Sequence, residues 1–140
     1  MESWLIDTVL FNSLAPGGLE TDSFRQWVET NEDPFFLSGA SIRRIQIAIK
    51  RIPASQGERA NALTKWLDGL VTNFSDRIHP AGGEVYARAT EITCNWQPTG
   101  AGVRYHDVLL VATAQLYGHG LLTKRLPVFG AWTNVKVASP

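Results

Sequence analysis

Short, wholly apolar runs alternate along this chain with longer stretches in which apolar residues recur every three or four positions. Runs bounded by turn formers read as buried strands, and the periodic stretches read as helices packed on them. The alternation predicts an α/β fold with a mainly parallel sheet, because parallel strands need helical crossovers. Trp4-Leu5-Ile6 reads as the first strand, and Phe35-Phe36-Leu37, between Pro34 and Gly39, as the second. Arg77-Ile78-His79, closed by Pro80, reads as the third, Leu121-Leu122-Thr123 as the fourth, and Val135 to Val137 as a last.

The stretches between these runs carry helical stripes. A Pro-Gly-Gly turn at Pro16 to Gly18 precedes a short helix with Phe24, Trp27 and Val28 in phase. Ile42, Ile45, Ile49 and Ile52 form one stripe, stopped by Pro53. Ser55-Gln56-Gly57-Glu58 has the form of a capping box and opens a helix with Leu63, Trp66, Leu67, Leu70, Val71 and Phe74 on one face. Val85, Ala89, Ile92 and Trp96 line up in the next helix, and a loop from Gln97 to Gly102 follows it. A helix starting near Tyr105 or His106 turns Leu110, Val111 and Ala114 inward and is closed by Gly118 and Gly120. The expected architecture is one domain over residues 1–140, a three-layer α/β/α sandwich around a parallel sheet of four or five strands.

Composition agrees with such a core. Of 140 residues, 44% are hydrophobic and 19% charged, which suits a globular chain and not a disordered one. Cys94 is the only cysteine, so there is no intrachain disulfide and no cysteine metal site, and a reducing compartment is favoured. No signal-peptide pattern opens the chain, and the longest apolar run, Val108 to Ala112, is far below the roughly 20 residues of a membrane span. The expectation is a cytoplasmic protein without membrane contact. A net charge of zero argues against a general electrostatic grip on nucleic acid. The charge is uneven, however: acids dominate up to Asp33, whereas only Lys124, Arg125 and Lys136 follow Asp107. A local basic face and an evenly solvated surface both remain open.

In open α/β sheets, functional groups gather at the carboxyl ends of the strands, near the topological switch point. Asp7 directly follows the first strand, and Asp107 lies in the first turn of the late helix. If the two strand ends are neighbours, both carboxylates face one cleft and repel unless a cation or donors satisfy them. A hard divalent ion with oxygen ligands is one answer, and a metal-bound water beside a phosphodiester gives hydrolysis. The plainer reading is that Asp7 forms a turn and Asp107 favours its helix N-terminus.

The order of segments adds to this. Leu5-Ile6-Asp7-Thr8-Val9-Leu10 resembles the opening motif of PIN domains, in which Asp-Thr is usually followed by Asn. Phe36-Leu37-Ser38, then Ile42-Arg43-Arg44-Ile45 and Ile49-Lys50-Arg51-Ile52, look like their second strand and helix. Arg59, Leu63, Trp66-Leu67 and Leu70 fit the middle helix, and Asp107-Val108-Leu109-Leu110-Val111-Ala112-Thr113-Ala114, followed by Gly118, Leu121-Leu122-Thr123 and Phe129, is the closest match. Nearly the whole chain resembles the VapC branch, the toxin half of a toxin–antitoxin pair.

That resemblance implies a metal-dependent endoribonuclease whose acidic cluster binds Mg²⁺ or Mn²⁺, with Asp7 and Asp107 as catalytic and metal-binding residues. It also implies a homodimer, an RNA substrate, and a small VapB-like antitoxin whose C-terminal segment fills the cleft, often with an inserted arginine. The match is incomplete. The glutamate expected in the second helix is Arg44, the Asn or Asp expected after the late strand is Arg125, and the Asn after Asp-Thr is Val9. Each Arg–Asp pair at ~4 Å is worth roughly 4 kcal/mol of Coulomb energy at an effective dielectric near 20, before desolvation. Two readings follow. Arg44 and Arg125 replace the cation and weaken catalysis, leaving a toxin of nuclease lineage or an inactive scaffold that acts by binding antitoxin or nucleic acid. Alternatively, the arginines hold phosphates while Asp7 and Asp107 carry one Mg²⁺.

Other features carry less. His79, His106 and His119 lack partners at ligand spacing, and His106 reads as exposed or capping. Gly100 and Gly102 are not followed by the Lys-Ser/Thr of a phosphate loop, and Ser38 and Ser41 lack a His–Asp pattern. Arg43, Arg44, Lys50 and Arg51 form a basic helix edge that could meet nucleic acid, the acidic first third of a second copy, or solvent, the last being commonest for any one such residue. Trp27, Trp66 and Trp96 read as core, and Trp132 as partly exposed.

Overall fold

The computed structural model describes residues 2–17, 22–96 and 102–140. Its five strands are β1 (Trp4–Ile6), β2 (Phe35–Ser38), β3 (Ile78–His79), β4 (Gly120–Leu122) and β5 (Val137–Ala138). They form one parallel sheet in the order β3-β2-β1-β4-β5. Six helices cover it: α1 (Thr8–Asn12), α2 (Asp22–Thr30), α3 (Gly39–Lys50), α4 (Gly57–Asn73), α5 (Gly83–Trp96) and α6 (Tyr105–Tyr117).

The pleat of β1 sorts the two cores. Trp4 and Ile6 point to one face, where Leu10, Phe11, Phe24, Ile42, Ile45, Ile49, Leu63 and Leu67 from α1 to α4 cover them. Leu5 points to the other, against Val85, Ala89 and Ile92 of α5 and the buried run of α6. The sheet thus lies between two helical layers, as the alternation predicts. From Asp107 to Ala114 every residue of α6 is buried, which is why this segment shows no amphipathic stripe.

The chain winds outward from β1 in both directions, to β2 and β3 on one side and to β4 and β5 on the other. The crevice between the carboxyl ends of β1 and β4 is therefore the switch point. Because α6 runs back to the start of β4, its N-terminus sits at that same edge. At the opposite, amino edge Gly120 lets β1 and β4 pair closely: a Cβ on it would meet the Trp4 ring at 2.7 Å. Gly118 closes α6 in the left-handed region, with φ 75°.

Several local expectations are corrected. A 3-10 turn over Ala54–Gln56 follows Pro53, so Ser55 lies inside that turn, and α4 begins at Gly57 with no side-chain cap. The capping box is therefore absent. Arg77 ends a 3-10 turn over Ser75–Arg77, leaving only Ile78 and His79 in β3. The last strand starts at Val137 rather than Val135. Trp96, at the last position of α5, is 53% exposed, whereas Trp132 is 5% exposed and packs against Phe129. Trp27 and Trp66 are half-buried. The Pro16 to Gly18 turn is described only to Gly17, and residues 97–101 of the following loop lie outside the described residues.

Candidate functional site

Asp7 is placed by β1 and the immediate turn into α1, whose backbone it caps without a side-chain hydrogen bond. Its carboxylate is thereby free to face the crevice, yet it is 1% exposed. Asp107 enters from the first turn of α6 and is 2% exposed. The structure brings together two carboxylates separated by a hundred residues of chain, as the switch-point argument requires.

What lies between them is Arg125. Its Nε donates to Asp7 Oδ2 at 2.9 Å and its Nη2 to Asp7 Oδ1 at 3.0 Å, a bidentate fork. The same Nη2 donates to Asp107 Oδ1 at 2.7 Å. Thr123 Oγ1 donates to Asp7 Oδ2 at 2.7 Å, and the Arg104 backbone N–H donates to Asp107 Oδ2 at 3.0 Å. All four carboxylate oxygens are thus used. Thr123 Oγ1 also accepts from the Arg125 backbone N–H at 2.9 Å, which fixes the start of the arginine's path. The guanidinium sits over the Phe129 ring, 5.4 Å from its centroid. Burial alone would lower the Arg125 pKa, but the hydrogen bonds and charges of Asp7 and Asp107 outweigh it and hold the group further above its ordinary value.

A divalent ion does not fit this arrangement. The oxygens it would take as ligands each accept from an N–H or O–H donor, and a permanent positive charge already stands between them. Among the described residues, no group of three or more His, Cys, Asp or Glu is placed to hold a metal. Arg44, the other arginine singled out, lines the same cleft but is exposed and forms no ion pair with Asp7 or Asp107. Of the two, Arg125 alone takes the cation's place.

The histidines have partners that sequence spacing did not reveal. His106 lines the cleft, and its Nε2 lies 2.6 Å from Thr8 Oγ1, which in turn is 2.5 Å from Ser41 Oγ. Burial and then Arg44 lower the His106 pKa, against an opposing pull from Asp107 and Asp7. Away from the cleft, His79 Nε2 meets His119 Nε2 at 2.8 Å, and His119 Nδ1 meets Ser3 Oγ at 2.6 Å. Phe36 and Tyr117 stack on this pair. The contacts join positions 40 and 116 residues apart, so only the folded sheet brings them together.

Burial, with His79 adding to it, lowers the His119 pKa from 6.5 to about 4. An unfolded chain takes up this proton as pH falls below 6.5, while the folded protein does not. Stability is complete above 6.5 and declines as pH falls through about 4. Urea unfolding across that window should show His119→Gln losing on the order of 2 kcal/mol less than the parent protein. Equal losses would assign the acid sensitivity to other groups.

No known family model matches the sequence, and no curated protein sequence matches it. Solved structures do match. FitAcB from Neisseria gonorrhoeae has a chain 22% identical to this one, with TM-score 0.79, covering 96% of this chain and 95% of that one. VapBC2 from Rickettsia felis, bound to a DNA fragment from the promoter of its genes, matches at 13% identity and TM-score 0.73, over 99% and 98% of the two chains. VapBC-5 from Mycobacterium tuberculosis, described as a member of the VapBC family of toxin-antitoxin systems, matches at 12% identity and TM-score 0.61, over 99% and 98%. Likeness at this level of identity establishes architecture, and it extends over the full described sheet and both helical layers: the chain has the PIN-type three-layer α/β/α fold that occurs in FitAB and VapBC complexes.

Proposed function

We propose that this protein is a VapC-like partner in a toxin–antitoxin pair, of metal-dependent endoribonuclease lineage, whose nuclease activity is suppressed by its own Arg125. One observation carries the reading. Arg125 bridges Asp7 and Asp107 from a position where the resemblance leads one to expect an Asn or Asp. The three charges leave the group one unit negative instead of two, which halves the net Coulomb attraction for Mg²⁺ or Mn²⁺. The resemblance to toxins held by an inserted antitoxin arginine gives the same geometry a meaning: the chain supplies that arginine itself. A small VapB-like antitoxin remains the proposed partner, since the matched architecture spans the chains of such complexes almost completely. Its contacts must then differ, because Arg125 already fills the place between Asp7 and Asp107 that an antitoxin arginine would take. A homodimer and cytoplasmic location follow the same resemblance.

The test is RNA cleavage in the presence of Mn²⁺, alongside growth arrest on induction. The double variant Arg44→Glu with Arg125→Asn should cleave at least about 100-fold faster than the parent protein, as mutations that restore charge at a site do when worth about 3 kcal/mol. Adding Asp7→Ala should abolish the gain. Faster cleavage by the parent protein than by the double variant would make the arginines working parts and overturn the proposal. Growth arrest that survives both Asp7→Ala and Asp107→Ala favours the second reading, a non-catalytic PIN scaffold acting through its partner.

A further inference from the structure

With Asp7 and Asp107 committed to Arg125, the cleft presents three other charged or titratable side chains. Arg44 comes from α3, Arg104 from the residue before α6, and His106 from its first turn. Arg44 and Arg104 are exposed and form no ion pair among the described residues. Two carboxylates and three guanidinium groups therefore leave the cleft with one unit of excess positive charge, although the protein as a whole is neutral.

His106 adds a directed donor. The hydrogen-bond arrangement that uses every hydroxyl proton runs from Ser41 to Thr8 and from Thr8 to His106 Nε2. Ser41 and Thr8 are buried, so this relay is shielded from water. In that arrangement the neutral imidazole carries its proton on Nδ1. That nitrogen has no partner among the described residues, and it is not among the buried unpaired atoms, so its N–H is open to a ligand.

We infer that Arg44, Arg104 and His106 form a metal-independent oxyanion site that takes the phosphate group of a single-stranded nucleic acid. Guanidinium forks match phosphate oxygens in geometry, and a neutral N–H donor beside them completes the contact without adding charge. One excess positive charge matches one singly charged phosphodiester. Val9, more than half exposed, lines the cleft as an apolar surface for a base. The site inverts the chemistry expected of the resemblance: the cleft holds the anion directly, where a bound cation would otherwise have done so. This deepens the proposed function and rests on its reading of Arg125 as the resident counter-ion.

The experiment uses the full chain in excess EDTA. A fluorescein-labelled single-stranded oligoribonucleotide is titrated by anisotropy, and inorganic phosphate is titrated while the His106 ring protons are followed by NMR. The parent protein should bind the oligonucleotide, with an affinity that falls with salt at a log–log slope of about −0.7, the value for one neutralised phosphate of a single strand. Arg44→Ala and Arg104→Ala should each weaken it about tenfold, and Arg44→Lys should weaken it less. Phosphate should move the His106 resonances, and the oligonucleotide should outcompete free phosphate. Thermal unfolding of each variant separates lost binding from lost fold. Binding that appears only with Mn²⁺, or that ignores both alanine variants, overturns the inference. An acidic peptide that displaces the oligonucleotide at equal concentration also overturns it, by assigning the cleft to a protein partner. A Mn²⁺ titration run in parallel separates the two claims: tight metal binding by the parent protein removes the Arg125 reading, whereas absent metal binding with absent RNA binding removes this inference alone.

Discussion

Arg125→Met should lower the stability of the metal-free protein by about 3–5 kcal/mol, read from urea unfolding at neutral pH. The side chain removed hydrogen-bonds both buried carboxylates, and methionine keeps its apolar stem while removing the charge and donors. Asp7 retains Thr123, and Asp107 retains the Arg104 N–H, but neither retains a counter-charge. Two carboxylates in one small crevice then repel in a medium of low polarity. The same variant should be rescued by Mn²⁺, which gains a site the parent protein denies it. A ligand at a hundred times its dissociation constant adds about 2.7 kcal/mol. Unfolding midpoints of the parent protein should not move with Mn²⁺, while those of Arg125→Met should rise. A variant as stable as its parent without metal would show that the bridge carries little energy.

Asp7→Ala should cost about 3–5 kcal/mol and should exceed Asp107→Ala, because the two carboxylates are not equivalent. Asp7 accepts three hydrogen bonds, two of them the arginine fork and one from the Thr123 hydroxyl. Its loss strands Thr123 and frees the arginine to swing toward solvent. Asp107 accepts one arginine hydrogen bond and one from its own helix terminus. Losing it removes a helix cap and one charge contact but leaves the fork intact. The substitutions share Arg125 and will not add: the double variant Asp7→Ala with Arg125→Met should be less destabilised than the two single effects together, by about 2 kcal/mol. Strict additivity would mean that the charges do not act as a unit.

The architecture was legible because strand and helix differ in period, and because this chain keeps the two patterns apart. Trp4-Leu5-Ile6 is a buried strand, Phe35 to Ser38 is a strand bounded by Pro34 and Gly39, and Ile42, Ile45 and Ile49 of α3 face one core in register. The pairing of Asp7 with Asp107 was legible for a topological reason, since both follow from where a parallel sheet turns its carboxyl edge. In the sequence, Arg125 and Arg44 stand out only as departures from a resemblance. That Arg125 reaches the carboxylates and Arg44 does not depends on where β4 and α3 end, which no spacing encodes. The partners of His79, His106 and His119 were illegible for the same reason, each resting on side chains from distant strands or helices. Trp96 misled because a helical stripe continues in sequence past the point where the neighbouring layer stops. Trp132 was buried by a 3-10 turn over Ala131–Thr133 that its Gly-Ala-Trp-Thr sequence does not announce.

The most direct measurement is a Mn²⁺ titration, by calorimetry or electron paramagnetic resonance, of the parent protein beside Arg125→Asn. If the guanidinium holds the place of the cation, the parent protein binds Mn²⁺ no more tightly than about 1 mM, and Arg125→Asn binds it at least about tenfold more tightly, with the gain lost on adding Asp7→Asn. Saturable, Asp7-dependent binding by the parent protein at micromolar Mn²⁺ would contradict the account.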